Sequence, residues 1–548
     1  MSWQDILDGV FMRFFRRTRN LKRRIFKKKI GYVHLVLSGK IPVYAKKKSF
    51  IEGKVFPSPP LTLLGLYETT LRLVSNPRVK GLIIHLSNLE LERYGDYEFL
   101  RNLMKIWTEY GKKVYVYASN YDTLSYYLAS AATKVYLTQG GILGTIGLNL
   151  EIPFLKEFLE KWGFQAQVVQ ISPYKSAANN LFYEEMPKEQ EKMINWMLDS
   201  LYEGVVLGIS QGRSREINDV TSLIDNSPLT DREALDQGWI DGILSSSDIL
   251  SEIKKEDSSA VITEYADALG RLPIPGKKKA QIALIPAVGG IVDGQGSDRG
   301  FPNPFEDRYQ VADISTINAI RAVRKNKKKY KAALLFVDSP GGSATASENI
   351  LNELRLLSKE MPLYAYFHSV AGSGGYYISM ASKKIYSERT TITASIGVLT
   401  VKLIRKGLIE QQKIKPYVFN RGAHADLQSP ERPWNEEELN IVKKQIENIY
   451  DIFLDHVSTN RGIERDKLHE NAQGKVFIAP QALEKNLLDK IIPLKDALEE
   501  IASEVGSKTA DFHVFPPIGK PIAPLEMPDP KQINGKIMLQ MFPPLKFR

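Results

Sequence analysis

Two stretches of this chain, 250 residues apart, share one order of residues. Residues 126–148 read YYLASAATKVYLTQGGILGTIGL, and residues 376–398 read YYISMASKKIYSERTTITASIGV. A tyrosine pair, a strand-like run and an Ile-Gly pair recur at the same places in both. Such self-similarity predicts two copies of one domain in tandem.

Strand-like runs alternate with helical patterns within the first copy. KGLIIHLS, KKVYVYAS and TKVYLT have the length and the β-branched or aromatic content of strands, and a helical stretch separates the last two. This alternation predicts parallel strands joined by crossover helices. We therefore expect an α/β fold with mainly parallel sheets, and a chain of 548 residues is long enough for two such cores.

Composition shifts divide the chain further. Pro, Gly and Lys interrupt the periodicity near residues 267–280, and a Pro-rich stretch follows residue 505. The predicted parts are a basic lead-in (1–52), a first repeat (53–266), a linker (267–280), a second repeat (281–504) and a C-terminal tail (505–548).

The two copies differ where chemistry is expected. The second copy has DSPGG at a strand end and Ser373 in AGSGGYY, whereas the equivalent of Ser373 in the first copy is Thr123, without flanking glycines. The first copy instead carries Lys175, and His424 lies in the matching stretch of the second. The second copy thus keeps the serine and the glycine loop, and the first copy keeps the lysine. This division predicts one composite site built from both repeats. The chain has no cysteine, which excludes a thiol nucleophile and thiolate zinc sites.

Four motifs carry a family resemblance: PYKSAANNLFYEEM, DSPGGSATASE, SVAGSGGYYIS and TASIGV. Together they resemble the signal peptide peptidase A family in its long form, protease IV. The resemblance implies two crotonase-like repeats of the kind shared with Clp protease, assembled as a homotetramer. It also implies a serine endopeptidase that degrades cleaved signal peptides or other short apolar peptides, with Ser373 as nucleophile, Lys175 as general base and Ser395 as the hydroxyl that orients the lysine.

This assignment makes a chemical demand on Lys175. A free lysine has a pKa of about 10.4, so its amine must be desolvated to act as a base near neutral pH. The N–H groups of Gly342 and Gly374 are the expected oxyanion donors. No cofactor is expected, and no metal-ligand spacing occurs in the sequence.

Alternatives remain open for both the base and the function. His368, five residues before Ser373, and His424 are rival bases. A crotonase-type acyl-CoA enzyme would share the fold and the glycine loop without needing Ser373 or Lys175. A catalytically inactive membrane scaffold would need only the fold and the basic N-terminal segment.

The first thirty residues hold ten Lys or Arg residues against two Asp. Apolar residues share one helical face of this segment, namely Trp3, Ile6, Leu7, Val10 and Phe14. An apolar stripe beside a cationic block predicts a helix that lies on an anionic membrane surface. We therefore expect a peripheral protein of the cell membrane, bound through residues 1–29, and no nucleic-acid partner.

Overall fold

The computed structural model describes residues 18, 28–45, 61–171, 173–273, 280–296 and 309–517, and the backbone of residues 537–540. The strands are β1 Gly31–Gly39, β2 Val79–Leu89, β3 Lys113–Asp122, β4 Lys134–Gly144, β5 Gln165–Gln170, β6 Leu229–Thr230, β7 Gly242–Ile243, β8 Ile262–Glu264, β9 Ile282–Val288, β10 Gly290–Val292, β11 Gln310–Ala312, β12 Ala332–Ser339, β13 Gly341–Ser343, β14 Leu363–Gly372, β15 Ile385–Ser387, β16 Ile392–Ala394, β17 Leu399–Ile404, β18 Val476–Ile478, β19 Lys490–Ile491, β20 Phe512–Val514 and β21 Ile537–Gln540.

The helices alternate with these strands along most of the chain. They are α1 Leu63–Val74, α2 Tyr94–Glu109, α3 Thr123–Ala129, α4 Lys156–Lys161, α5 Asn179–Phe182, α6 Lys188–Arg213, α7 Ile217–Asn226, α8 Asp231–Asp236, α9 Ile249–Glu256, α10 Tyr265–Arg271, α11 Asp313–Lys325, α12 Ala344–Ser358, α13 Gly374–Ile378, α14 Lys406–Gln411, α15 Glu436–Arg461, α16 Arg465–Asn471, α17 Ala479–Glu484 and α18 Leu494–Glu504, with short 3₁₀ turns at Lys327–Lys329 and Ser379–Ala381.

Contacts divide the chain into two compact units. The first comprises residues 1–148 and 202–279, and the second comprises residues 149–201 and 280–548. The first unit contains a sheet of order β6-β4-β3-β2-β1-β8, with β7 beside β4. Its strands pair in parallel except at β4 and β6.

The second unit contains a large sheet of order β18-β16-β14-β12-β9-β20, extended by β15 and β19. Its pairs are also parallel except at β16 and β18. Every residue of β9 and β12 is buried, as expected of central parallel strands covered on both faces. The predicted α/β class with mainly parallel sheets is confirmed.

The two large sheets repeat one plan at the predicted spacing. β3 and β14 both begin and end 250 residues apart, and so do β8 and β20. The single antiparallel pair described in each sheet also occupies the same edge. The internal repeat of the sequence therefore corresponds to a repeated fold.

A smaller sheet of the second unit has the order β11-β10-β13-β21-β17-β5. It begins with parallel pairs, and from β13 to β5 its pairs are antiparallel. The ladder between β17 and β5 runs over six residue pairs, from Leu399↔Gln170 to Ile404↔Gln165. This pairing brings the residues that follow β5, including Lys175, into the second unit.

The observed elements differ from the predicted domain boundaries at three places. β1 lies before residue 53 and β20 lies after residue 504, yet each completes a large sheet. Residues 149–201, expected in the first repeat, belong to the second compact unit because β5 joins its small sheet. β5 and β20 are short strands at sheet edges, which carry little periodic signal, so their sequence resembles linker.

The predicted N-terminal amphipathic segment lies almost wholly outside the described residues. Among the residues that the structure describes, no helix combines the length and apolar character needed to cross a membrane.

Candidate active site

Ser373 lies at a sharp bend between β14 and α13. Its φ of 51° and ψ of −114° are unusual for a residue with a side chain. The bend is fixed on both sides, because the Ser373 N–H donates to the Ala394 carbonyl (2.7 Å) and the Ser373 carbonyl accepts from the Tyr377 N–H (2.8 Å). A Cβ at Gly375 would lie 2.5 Å from the Ser339 carbonyl oxygen, so the small residues of this motif let α13 start against β12.

Lys175 is fully enclosed and reaches this serine. Its Nζ lies 2.8 Å from Ser373 Oγ, 3.0 Å from the Ser395 carbonyl oxygen and 3.1 Å from Ser395 Oγ. The lysine is 1% exposed, and this burial lowers its pKa well below the ordinary value of 10.5. The structure thus brings together the three residues that the sequence predicted to share a site, all within the second unit.

The geometry suits a neutral amine. A neutral lysine has two N–H donors and one lone pair. The two oxygens of Ser395 can occupy the donors, which leaves the lone pair to accept the hydroxyl hydrogen of Ser373. This arrangement can remove a proton from Ser373 Oγ.

Ser395 presents two oxygens to one amine because the backbone turns sharply at the end of β16. Ala394 and Ser395 both have positive φ, 67° and 53°. The Ser395 N–H donates to the Lys475 carbonyl at 2.8 Å, which holds this strained pair in place.

The turn between α16 and β18 holds the lysine segment, and the sequence analysis missed it. The Tyr174 N–H donates to the Gln473 carbonyl (3.1 Å), and the Gly474 N–H donates to the Ile396 carbonyl (2.8 Å). A Cβ at Gly474 would lie 2.3 Å from the backbone nitrogen of Lys175. The turn therefore bridges the backbones of the lysine and Ser395 segments, and only glycine fits at its centre.

Aromatic contacts add to this support. The ring of Tyr174 lies 6.0 Å from that of Trp196, and Lys475 Nζ lies 4.8 Å from the Tyr174 ring centroid. The one sequence signal for the turn is a glycine in NAQGKV, which by itself does not distinguish a support from an ordinary loop.

The predicted oxyanion glycines lie on segments that meet beside Ser373. Gly342 has a φ of 155°, and a Cβ there would lie 2.1 Å from the Ile291 carbonyl oxygen. A Cβ at Gly374 would lie 3.2 Å from the Gly341 Cα. Gly342 therefore requires glycine, and the β13 backbone runs directly past the start of α13. The role of these glycines as oxyanion donors stays a prediction.

The rival histidines have other surroundings. The His368 ring is buried within β14, 5.4 Å from the Phe336 ring. His424 Nε2 lies 3.7 Å from Glu437 Oε1, and its side chain is more than a third exposed. The base within hydrogen-bonding distance of Ser373 is the lysine.

Thr123, the counterpart of Ser373 in the first copy, is engaged with backbone. Its hydroxyl donates to the Gly147 carbonyl (2.8 Å) and accepts from the Gly147 N–H (3.1 Å). These bonds close a loop of the first unit, which is a structural role.

A repeated α/β fold with a strained serine and a buried lysine is typical of serine hydrolases that use a Ser/Lys pair. The sequence profile described as Peptidase family S49 matches residues 108–259 and 355–508. These two matches cover more than half of the chain, and the chain belongs to that family. The prediction of a peptidase family with two tandem copies is confirmed.

Known proteins similar to this chain carry matching names. "Serine protease SPPA, chloroplastic" of Arabidopsis thaliana is 30% identical over 448 residues, which cover 80% of this chain and 65% of the relative. "Protease 4" of Haemophilus influenzae is 27% identical over 463 residues, covering 79% of this chain and 71% of the relative. The chain thus spans just under two thirds of the Arabidopsis protein.

Among solved structures, a ClpP1 mutant from Listeria monocytogenes is similar over 39% of this chain and 93% of its own, at 12% identity and a TM-score of 0.25. A TM-score this low is too weak a likeness to bear on the function of this chain.

The Gly474 contact generates a prediction with a matched control. Gly474→Ala should push the Lys175 backbone away and slow the reaction of Ser373 with a fluorophosphonate by about 10- to 100-fold, since a displacement near 1 Å has effects of that order. Gly462→Ala is the control, because Gly462 also has positive φ (64°) but a Cβ there meets nothing within 4 Å.

Labelling rates are measured by mass spectrometry on variants whose melting curves show cooperative unfolding. Equal labelling rates in the two variants would mean that the turn does not position the lysine.

Proposed function

We propose that this protein is a serine endopeptidase in which Ser373 is the nucleophile and Lys175 the general base. The observation that carries the proposal is the 2.8 Å separation between Ser373 Oγ and a buried amine whose pKa is lowered by desolvation. Ser395 orients the amine through its carbonyl and hydroxyl oxygens.

The reaction proceeds in two halves. Lys175 takes the hydroxyl proton while Ser373 Oγ attacks the peptide carbonyl carbon, and the resulting ammonium gives that proton to the leaving amine. The neutral lysine then takes a proton from a water molecule, which attacks the ester carbon. Collapse of this second intermediate returns the proton to Ser373 and releases the acid product.

Negative charge develops on the substrate oxygen in both halves. We propose that the N–H groups of Gly342 and Gly374 stabilise it, at about 3 kcal/mol for each donor. The close approach of β13 to the start of α13 supports this assignment.

The proposed substrates are short apolar peptides such as cleaved signal peptides, bound as an extended strand beside β13. The family resemblance suggests this class, and the small β13 segment offers backbone groups that an extended peptide can pair with. The homotetramer stays a prediction of the same resemblance.

Variants of the two central residues test the proposal. Ser373→Ala should abolish fluorophosphonate labelling and reduce peptide hydrolysis by about 10³-fold or more. Lys175→Arg should lose as much activity as Lys175→Ala, because a guanidinium does not deprotonate at working pH. Lys402→Arg is the matched control, since Lys402 is also buried, with a pKa lowered to about 8, and donates to the Leu427 carbonyl (2.9 Å).

Each alternative gives a different outcome. Near-normal hydrolysis by Lys175→Arg would favour His368 or His424 as base. Absence of Ser373 labelling in the wild-type protein would favour the acyl-CoA enzyme or the inactive scaffold.

We further propose that residues 1–29 bind an anionic membrane surface. Ten basic residues in this region and an apolar stripe beside them support the proposal, at about 1 kcal/mol for each basic residue near the surface. The protein should float with phosphatidylserine or phosphatidylglycerol vesicles but not with phosphatidylcholine vesicles, and high salt should release it.

Deletion of residues 2–29 should abolish flotation, and replacing the ten basic residues with Gln tests the charge separately. Resistance to salt and carbonate, with release by detergent alone, would contradict a peripheral attachment.

A further inference from the structure

The C-terminal strand β21 lies between two strands that flank the candidate active site. Its backbone pairs antiparallel with β13 on one side, in the register Gly341↔Gln540, Gly342↔Leu539 and Ser343↔Met538. On the other side it pairs antiparallel with β17, in the register Leu399↔Met538 and Thr400↔Ile537. The strand thus fills a slot one strand wide.

Both registers direct the C-terminal end of this strand toward the reacting groups. On the β13 side, Gln540 pairs with Gly341, whose Cα lies beside Gly374 and so next to the nucleophile. On the β17 side, the chain before Leu399 leads back within a few residues to Ser395. A peptide that continues past residue 540 in this direction therefore passes the Ser373 bend.

The slot offers backbone hydrogen bonds from both walls. β13 also pairs with β10, and β17 also pairs with β5, so each wall is supported from behind. Strand addition of this type derives affinity from main-chain groups and accepts many side chains. These are the properties required for degrading short peptides of varied sequence.

We infer that the slot between β13 and β17 is the peptide-binding site and that residues 537–540 are its intramolecular ligand, which competes with substrates. This inference rests on the proposed peptidase function. A tethered segment acts at about millimolar effective concentration, so even a weak strand interaction keeps most molecules closed. Only the molecules with an open slot bind substrate, and the apparent affinity for substrate is lower by that fraction.

A proline in the strand tests this competition in the full-length protein. Met538 pairs with both walls, and Met538→Pro removes a backbone N–H from a strand that is flanked on both sides. For a dilute fluorogenic peptide, kcat/KM should rise by about tenfold or more in Met538→Pro. It should stay at the wild-type value in Met538→Val, which keeps the N–H. Deletion of residues 537–548 should raise kcat/KM to the same extent as Met538→Pro. Because the deletion removes the strand without introducing a proline, it keeps the test valid if Met538→Pro misfolds.

A peptide added in trans gives a second measurement. A synthetic peptide of residues 535–544 should inhibit Met538→Pro competitively, and the same peptide with proline at position 538 should not. Unchanged kcat/KM in the proline and deletion variants, together with no inhibition by the peptide, would overturn the inference.

Binding to a catalytically dead protein separates this inference from the proposed function. The fluorescently tagged 535–544 peptide should bind full-length Ser373→Ala/Met538→Pro, as measured by anisotropy, and should bind Ser373→Ala at least about tenfold more weakly. If this difference in binding is observed but the wild-type protein hydrolyses no peptide, the peptidase proposal is refuted and the slot is still a peptide-binding site. If the wild-type protein hydrolyses peptides but the two Ser373→Ala proteins bind the 535–544 peptide equally, the peptidase proposal stands and residues 537–540 are not an intramolecular ligand.

Discussion

The desolvation of one amine, Lys175 Nζ, is the constraint on which the rest of the site depends. An exposed lysine is protonated near neutral pH and cannot accept a proton from serine. Burial to 1% exposure disfavours the ammonium form, and each unit of lowered pKa corresponds to about 1.4 kcal/mol. The surrounding fold must supply that free energy while holding the amine within 2.8 Å of its serine.

Strained backbone and closely packed glycines together hold the buried amine of Lys175 next to Ser373. Ser373, Ala394 and Ser395 all have positive φ, a conformation that persists only where neighbouring structure fixes it. The Ser373 N–H bonds to the carbonyl of Ala394, so the two strained segments hold each other. Gly474 then closes the enclosure against the backbone of Lys175.

The fold class and the three central site residues were predictable from the sequence, because both depend on repeated or local sequence patterns. The 250-residue repeat predicted two α/β copies, and the motifs around Lys175, Ser373 and Ser395 predicted three residues that the structure brings together. Other features depend on long-range pairing of short segments that carry no periodic signal. The pairing of β5 with β17, the support from Gly474 and the position of β21 belong to this group.

The pH dependence of Ser373 labelling in the wild-type protein tests the central claim most directly. If the buried amine activates the serine, the labelling rate rises as Lys175 loses its proton and reaches a plateau above the lowered pKa. The midpoint should then lie well below 10.5, the ordinary value for lysine, and this step in the pH profile should be absent in Lys175→Ala. A rate that keeps rising about tenfold per pH unit toward pH 10, or a midpoint unchanged in Lys175→Ala, would contradict the account.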